Sequence, residues 1–320
     1  MNSFIGLMRR ETWEHTTLKG LPVGLLVFIM LVNAAIATAV LRYQGTVSIG
    51  LDNGSGNISD LVTSFIRAEA GQQAQIINGT LLTTGMIINS VILIMMFFYL
   101  IDSLYGERKD HSILFWKSLP VSDTQTVLSK LAVAMVIIPL IIMSTTMLSQ
   151  LLTLAVQSYT LSHFTDDPGL LWQRADLATL WALTGFLLVK QSIWYLPVMG
   201  WLLFCSAWSR KAPIIAAVLI PALLVFIDSS FLLRTGISEM IIERLPIGIV
   251  PMQLDNNLVT YNNGLGSDTV GFVFDDEMLK PGLANALDFI SNIRVWMGIL
   301  VGILFTGMAI FLRRWRDDAL

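Results

Sequence analysis

The chain has a single cysteine, Cys205, in 320 residues. A disulfide framework and a cysteine-cluster metal site each need several, so both are excluded. Histidine is nearly as scarce. His15, His111 and His163 stand far apart and none falls in an H-E-x-x-H pattern, which leaves no basis for a zinc or nucleophilic site built on them. Charged residues make up only 13% of the chain, with a net charge of −3. No solvated segment interleaves basic residues with stacking aromatics, so a nucleic-acid partner is not expected. A G-x-x-x-x-G-K-[ST] phosphate loop is also missing: Gly54-Ser-Gly56 and Gly264-Leu-Gly266 lack the lysine and the strand-to-helix setting. The chain therefore cannot hold ATP by that route. Asp275, Asp276 and Glu277 lack the spaced oxygen ligands and glycine of a calcium loop and read as a solvated acidic turn.

Apolar residues are what the chain has in excess, 54% of it, with a mean hydropathy of +0.68. A soluble domain of this length lies outside that range. The fold class expected is an all-α polytopic membrane protein. Six apolar runs, near 21–41, 81–101, 127–148, 189–208, 213–231 and 295–312, are each long enough to cross a hydrocarbon core of about 30 Å, which takes roughly 20 helical residues. Pro22 and Pro213 stand in first turns, where a missing N–H is harmless. Pro139, Pro197 and Pro221 fall inside spans and are expected to kink them. Before the first run, Phe4, Ile5, Leu7, Met8 and Trp13 alternate with Arg9, Arg10, Glu11 and Glu14, the pattern of an amphipathic helix lying in the headgroup layer. Residues 1–20 are thus expected to form a cytoplasmic interfacial helix, and 21–320 the six-span domain. No small-residue cleavage site follows the first run, so a removable signal is not expected.

Lys and Arg set the orientation. With the N-terminus inside, Arg9, Arg10, Lys19, Arg108, Lys109, Lys117, Lys130, Arg210, Lys211, Arg313, Arg314 and Arg316 collect on one side close to span ends. Both termini are then expected to be cytoplasmic. The outer loops become 42–80, 157–188 and 232–294. Ile58, Leu61, Val62, Phe65 and Ile66 recur at helical spacing and predict an amphipathic helix in the first loop. In the second, a helix is expected to extend the fourth span. In the third, Ile237, Met240, Ile241 and Leu245 predict a short helix, residues 258–261 and 269–274 a hairpin, and Pro281 the start of a helix. Lys190 is placed at the outer interface, where it can snorkel. Asp228 falls at the outer end of the fifth span, within reach of water. Asn33, Asn89 and Ser90 are candidates for lining a pathway through the spans, with polar glue between helices as the alternative.

Between the second and third spans lies a charged island, 102–126, with its own organisation. Ile113, Leu114, Phe115 and Trp116 place four large apolar residues in a row, which in a helix point in all directions and ask for burial on both sides. Asp110 is the expected N-cap of that short helix and Leu119-Pro120 its stop. Ser122 with Gln125 reads as a capping box opening the next helix. The order Glu107-Arg108-Lys109, then Ser112-Ile113-Leu114, then Leu119-Pro120-Val121-Ser122, then Leu128-Ser129-Lys130 resembles the cytoplasmic coupling loop of ABC-2 type transporter permeases. The segment 206–213 is similar to a connecting loop in one bacterial branch of them.

The resemblance implies a permease subunit of an ATP-binding-cassette exporter in a bacterial inner membrane. Half of the translocation pathway would come from this chain and half from a second permease subunit, the same or related. Separate ATPase subunits would hold ATP and Mg, with no cofactor or metal in this chain. Glu107, Arg108, Lys109, Ile113, Leu114, Phe115, Trp116, Lys117, Leu119 and Pro120 would be the residues that dock the ATPase. Two other classes compete. An intramembrane enzyme needs paired ionisable or nucleophilic residues on facing spans, and no such pair is evident in the sequence. A membrane scaffold would bind a partner through the 232–294 loop.

Overall fold

The structure, a computed structural model, describes residues 3–43, 48–51, 54–110, 121–167, 169–230, 237–244, 287 and 289–316. The predicted hairpin at 258–261 and 269–274, the predicted helix start at Pro281 and the 111–120 segment lie outside the described residues.

The protein is an all-α polytopic membrane protein. Among the described residues six helices are long and apolar enough to cross a membrane. In chain order the elements are α1 (Ser3–Glu14), α2 (Thr17–Arg42), a short antiparallel hairpin (β1, Ser48–Leu51; β2, Gly54–Asn57), α3 (Ile58–Arg67) and α4 (Ala70–Lys109). Next come α5 (Asp123–Ala132) with its continuation α6 (Ile138–Leu161), α7 (Leu170–Arg174), α8 (Leu177–Trp194), α9 (Leu196–Trp208), α10 (Pro213–Ser230), α11 (Ile237–Ile242) and α12 (Ile293–Arg316). Large apolar side chains stay exposed along α2, α10 and α12, among them Phe28, Leu31, Ile215, Phe226, Leu300 and Phe311. Hydrocarbon covers such faces at no cost, whereas water would not.

Two of the spanning helices overrun a bilayer. α4 has 40 residues, and α5 with α6 runs over 39. At 1.5 Å per residue each is close to ~60 Å long. The expected loop 102–126 is correspondingly shorter, because 102–109 continue α4 and 123–126 begin α5. The physical reason is that the buried stripe of α4 does not stop at residue 101: Ser103, Leu104 and Glu107 are buried in turn. Asp110 is therefore the C-cap of α4. Ser122 does cap the next helix, its Oγ accepting the Gln125 N–H at 3.3 Å.

Two of the three prolines expected to kink spans, Pro139 and Pro197, stand at breaks in the regular ladder, whereas Pro221 lies within the continuous helix α10. Upstream of Pro139 the helix widens into a π turn at Val133–Ile137, which relieves the clash of the proline ring with the preceding turn. The fourth span breaks at Tyr195, between α8 and α9, ahead of Pro197. Its two pieces keep one course along α4: Asn89 meets Gln191, and the Leu104 N–H meets Ser206 Oγ at 3.1 Å, with the same sequence offset. The span is thus longer than 189–208 and starts at Leu177.

The main core joins α4, α5, α6, α9 and α12 through Ile92, Leu100, Val127, Ile138, Met199, Leu202 and Ala309. A second core lies toward the end opposite α1, where Ile77, Leu81, Leu154, Leu171 and Leu180 pack together and α3 adds Val62, Phe65 and Ile66. That is the amphipathic helix anticipated from residue spacing. α9 and α12 cross with their backbones in contact at Gly200 and Gly302. A Cβ on Gly200 would lie 2.6 Å from the Gly302 carbonyl oxygen, and one on Gly302 would lie 2.9 Å from the Leu196 backbone. Small residues at a crossing are what allow membrane helices to approach this closely.

At the end opposite α1, Asp228 is buried rather than water-exposed. Its Oδ2 accepts from the Ser238 N–H at 3.1 Å and hydroxyl at 2.6 Å, which ties the start of α11 to the end of α10. Arg244, just past α11, lies 4.8 Å over the Trp194 ring and donates to the Arg294 carbonyl at 2.6 Å.

Candidate functional site: an ionic cluster where four helices meet

The sequence spreads its few charges toward helix ends, and the fold gathers seven of them into one place. Lys130 of α5 is 1% exposed and lies 2.8 Å from Glu11 Oε1 and 3.0 Å from Glu107 Oε1. Arg313 of α12 reaches Glu107 Oε2 at 2.7 Å and Asp123 Oδ1 at 3.0 Å. Arg10 approaches Glu107 Oε1 at 3.7 Å. Arg10 also pairs with Glu14 Oε1 at 2.7 Å, so three cations (Arg10, Lys130, Arg313) face four anions (Glu11, Glu14, Glu107, Asp123). Lysine and glutamate are almost never fully buried unless paired. Here each carries the other. Tyr99 OH adds a donor to Glu11 Oε2 at 3.3 Å.

Four elements are pinned by this cluster: α1, α4, α5 and α12. Arg313 is the clamp. Glu107 is two residues before the end of α4, and Asp123 is the first residue of α5. One guanidinium from α12 therefore holds both ends of the 110–122 connection. On the other side of α4, Arg108 donates to the Ser206 carbonyl and to the Ser209 carbonyl at 3.0 Å, while Tyr105 OH donates to the Lys211 carbonyl at 3.0 Å. The end of α4 is thereby fastened to the turn between α9 and α10 as well. A buried ion cluster contributes little net stability but fixes one arrangement of its helices, because any slip leaves a charge without its partner.

Of the residues anticipated as an ATPase-docking set, Glu107 is buried and turned inward, and Arg108 is engaged with carbonyls of its own chain. Lys109 is exposed. Ile113, Leu114, Phe115, Trp116, Lys117, Leu119 and Pro120 lie outside the described residues. Glu11 was not anticipated either. An amphipathic reading of α1 assigns it to the polar face, yet it is 1% exposed. The available signal was the spacing of Leu7 and Glu11 on one helix face, both buried.

The structure does not bring Asn33, Asn89 and Ser90 together. Asn33 Nδ2 donates to the Ile29 carbonyl at 2.9 Å and to Thr153 Oγ1 at 3.2 Å, joining α2 to α6. Asn89 and Gln191 exchange amide hydrogen bonds at 3.2 and 3.4 Å, joining α4 to α8. Ser90 donates to the carbonyl of Met86, one turn back, at 2.9 Å. A related bond was missed altogether: Gln150, fully buried, donates to the Leu81 carbonyl at 3.0 Å and accepts from Trp181 Nε1 at 2.9 Å. Lys190 is half-buried, its ammonium 5.2 Å from the Phe289 ring centroid and 5.5 Å from that of Phe186. Among the described residues no group of three or more His, Cys, Asp or Glu could hold a metal ion.

His15, in the turn between α1 and α2, packs edge-on against Tyr99 at 4.8 Å. Burial pulls its pKa below the ordinary 6.5, although Glu11 pulls the other way. The unfolded chain therefore takes up a proton at His15 before the folded one does. The stability from this site is complete above about pH 6.5 and is lost as pH falls toward the lower folded value. Hydrogen exchange of α1 is expected to accelerate, relative to α9, from about pH 7.5 to about pH 5, and less so in His15→Gln. Equal acceleration in both proteins would remove His15 from the account.

Compared with known proteins, the chain matches no family model, no curated protein and no solved structure.

Proposed function

We propose that the chain is the membrane-embedded subunit of an ATP-driven exporter, with no catalysis of its own, driven by separate ATPase chains that grip residues 111–120. On this reading the α1 end faces the cytoplasm of a bacterial cell, and ATP and Mg are held by the partner. A second permease subunit, alike or related, completes the pathway.

The observation that carries the reading is the clamp at Arg313. A load applied to the 110–122 connection reaches Glu107 and Asp123 at once, and through Arg313, Lys130 and Glu11 it reaches α12, α5 and α1 together. Packed helices joined in this way move as rigid bodies between discrete arrangements rather than bending. The double-faced apolar run Ile113 to Trp116 is suited to helix-in-groove recognition, one side on its own bundle and the other in the groove of an ATPase.

The test is photo-crosslinking from position 116 in membranes of the native host, with captured chains assayed for ATP binding. The reading expects capture of an ATPase, lost in Leu114→Glu and in a Trp116→Asp chain probed from position 117, with membrane insertion intact. Capture of proteins that bind no nucleotide would refute it.

A further inference from the structure

A cavity of about 680 Å³ opens between α2, α3, α4 and α6, at the end opposite α1. Its wall on α2 runs from Asn33 to Val40, within the apolar span. α3 closes one side with Leu61, Val62 and Phe65, while its charged residues Asp60 and Arg67 are exposed away from the second core. Among the described residues none that line the cavity is charged.

Polar side chains do reach the wall: those of Ser64, Thr80, Thr160 and Asn33 are already engaged, while the carboxamides of exposed Gln72 and half-buried Gln157 also line it. Ser64, Thr80 and Thr160 each donate to a carbonyl of their own helix, at 2.8, 2.8 and 2.9 Å, and the Asn33 amide is held by Ile29 and Thr153. Beyond those two carboxamides the space offers few hydrogen bonds, and it offers no counter-charge. Ile36 at 56%, Leu61 at 37% and Ile76 at 54% exposure border its mouth, beside the exposed polar residues Ser64, Gln72 and Thr80. Below the mouth, exposed Val32 continues the apolar surface down α2. Water gains little in such a space, and the cost of leaving it empty grows with its volume. Ligand pockets of a few hundred Å³ with mainly apolar walls are filled by apolar groups of matching size.

We propose that this cavity is a lateral lipid site, occupied by an acyl chain that enters from the bilayer past Ile36 and Ile76 and lies under α3. The headgroup stays at the mouth, unselected by charge. The proposal does not depend on the ATPase reading, since it rests only on the walls of the cavity and on α2 being a span.

The test uses the full chain in phosphatidylcholine nanodiscs doped with phosphatidylcholine that carries a diazirine in one acyl chain. After irradiation, label on α3 and on 153–164 is compared with label on the exposed face of α10, which contacts lipid without a cavity. The site predicts label on α3 in excess of α10, and loss of that excess in Ala37→Trp and, separately, in Ala68→Trp. Unchanged label on α10 identifies a variant that is still folded. Label on α3 no greater than on α10 in the wild-type protein overturns the proposal. So does an excess that survives both substitutions.

Discussion

Replacing Lys130 by alanine is expected to destabilise the folded bundle by about 3–5 kcal/mol, the usual consequence of removing one member of a buried ion pair. Lys130 is 1% exposed, and its ammonium is the nearest cation to Glu11, itself 1% exposed. Glu107 would keep Arg313 at 2.7 Å and Arg10 at 3.7 Å. Among the described residues Glu11 would keep the Tyr99 hydroxyl at 3.3 Å and His15 at 3.8 Å, neither a full substitute for a cation. The penalty should therefore fall on α1, which detaches first. Unfolding in mild detergent measures the loss, and proteolysis within α1 locates it. The double change Glu11→Gln with Lys130→Met removes both charges and should recover much of the stability, because a matched apolar or neutral pair carries no stranded charge. If Lys130→Ala is as stable as the wild-type protein, the cluster is not what fastens α1.

Gly302→Val should be nearly as damaging, by a different route. The position has no room: an added Cβ meets Leu196 Cγ at 2.8 Å and the Leu196 backbone at 2.9 Å, and backbone cannot rotate away. α12 must shift outward from α9. Overpacking of this kind costs about 1–3 kcal/mol for an added methyl or two, and the branched side chain adds more. The shift also propagates, since Arg313 is three turns further along the same helix and must stay within reach of Glu107 and Asp123. Gly302→Val is expected to lower stability and to free the end of α4 together. Gly200→Val should do the same, whereas Gly24→Val and Gly185→Val, where nothing lies within 4 Å of an added Cβ, should be tolerated. Equal effects at all four positions would mean that helix propensity, not the crossing, decides.

Much of this architecture could be read from residue order. The apolar runs locate the spans, Ser122 marks the start of α5, and Leu61, Val62 and Phe65 give α3 its apolar face. These signals are local: a turn of helix and its cap are written within a few residues. The overlong α4 was not legible, because residues 102–109 are charged enough to resemble a loop and are kept helical by α9, about a hundred positions away. Glu11 and Arg313 were hidden for the same reason. Each is polar beside its neighbours in sequence and is buried only by partners on other helices. Asn89 was legible as a polar group inside a span, but not as half of a pair with Gln191. The cavity under α3 depends on how far α2 stands from α4, and nothing in a hydropathy pattern encodes that distance.

The exporter account requires that the end of the molecule bearing α1 and the ionic cluster face the compartment that contains ATP. Cysteine at position 109, where Lys109 is exposed, in a Cys205→Ser background, tests this with a membrane-impermeant maleimide in sealed vesicles of both orientations. A second cysteine at Tyr159, 65% exposed at the opposite end, serves as the reciprocal reporter. The account predicts that position 109 reacts only in inverted vesicles and position 159 only in right-side-out ones. The reverse pattern would place the 110–122 connection outside the cell, beyond the reach of any ATPase, and would contradict the account.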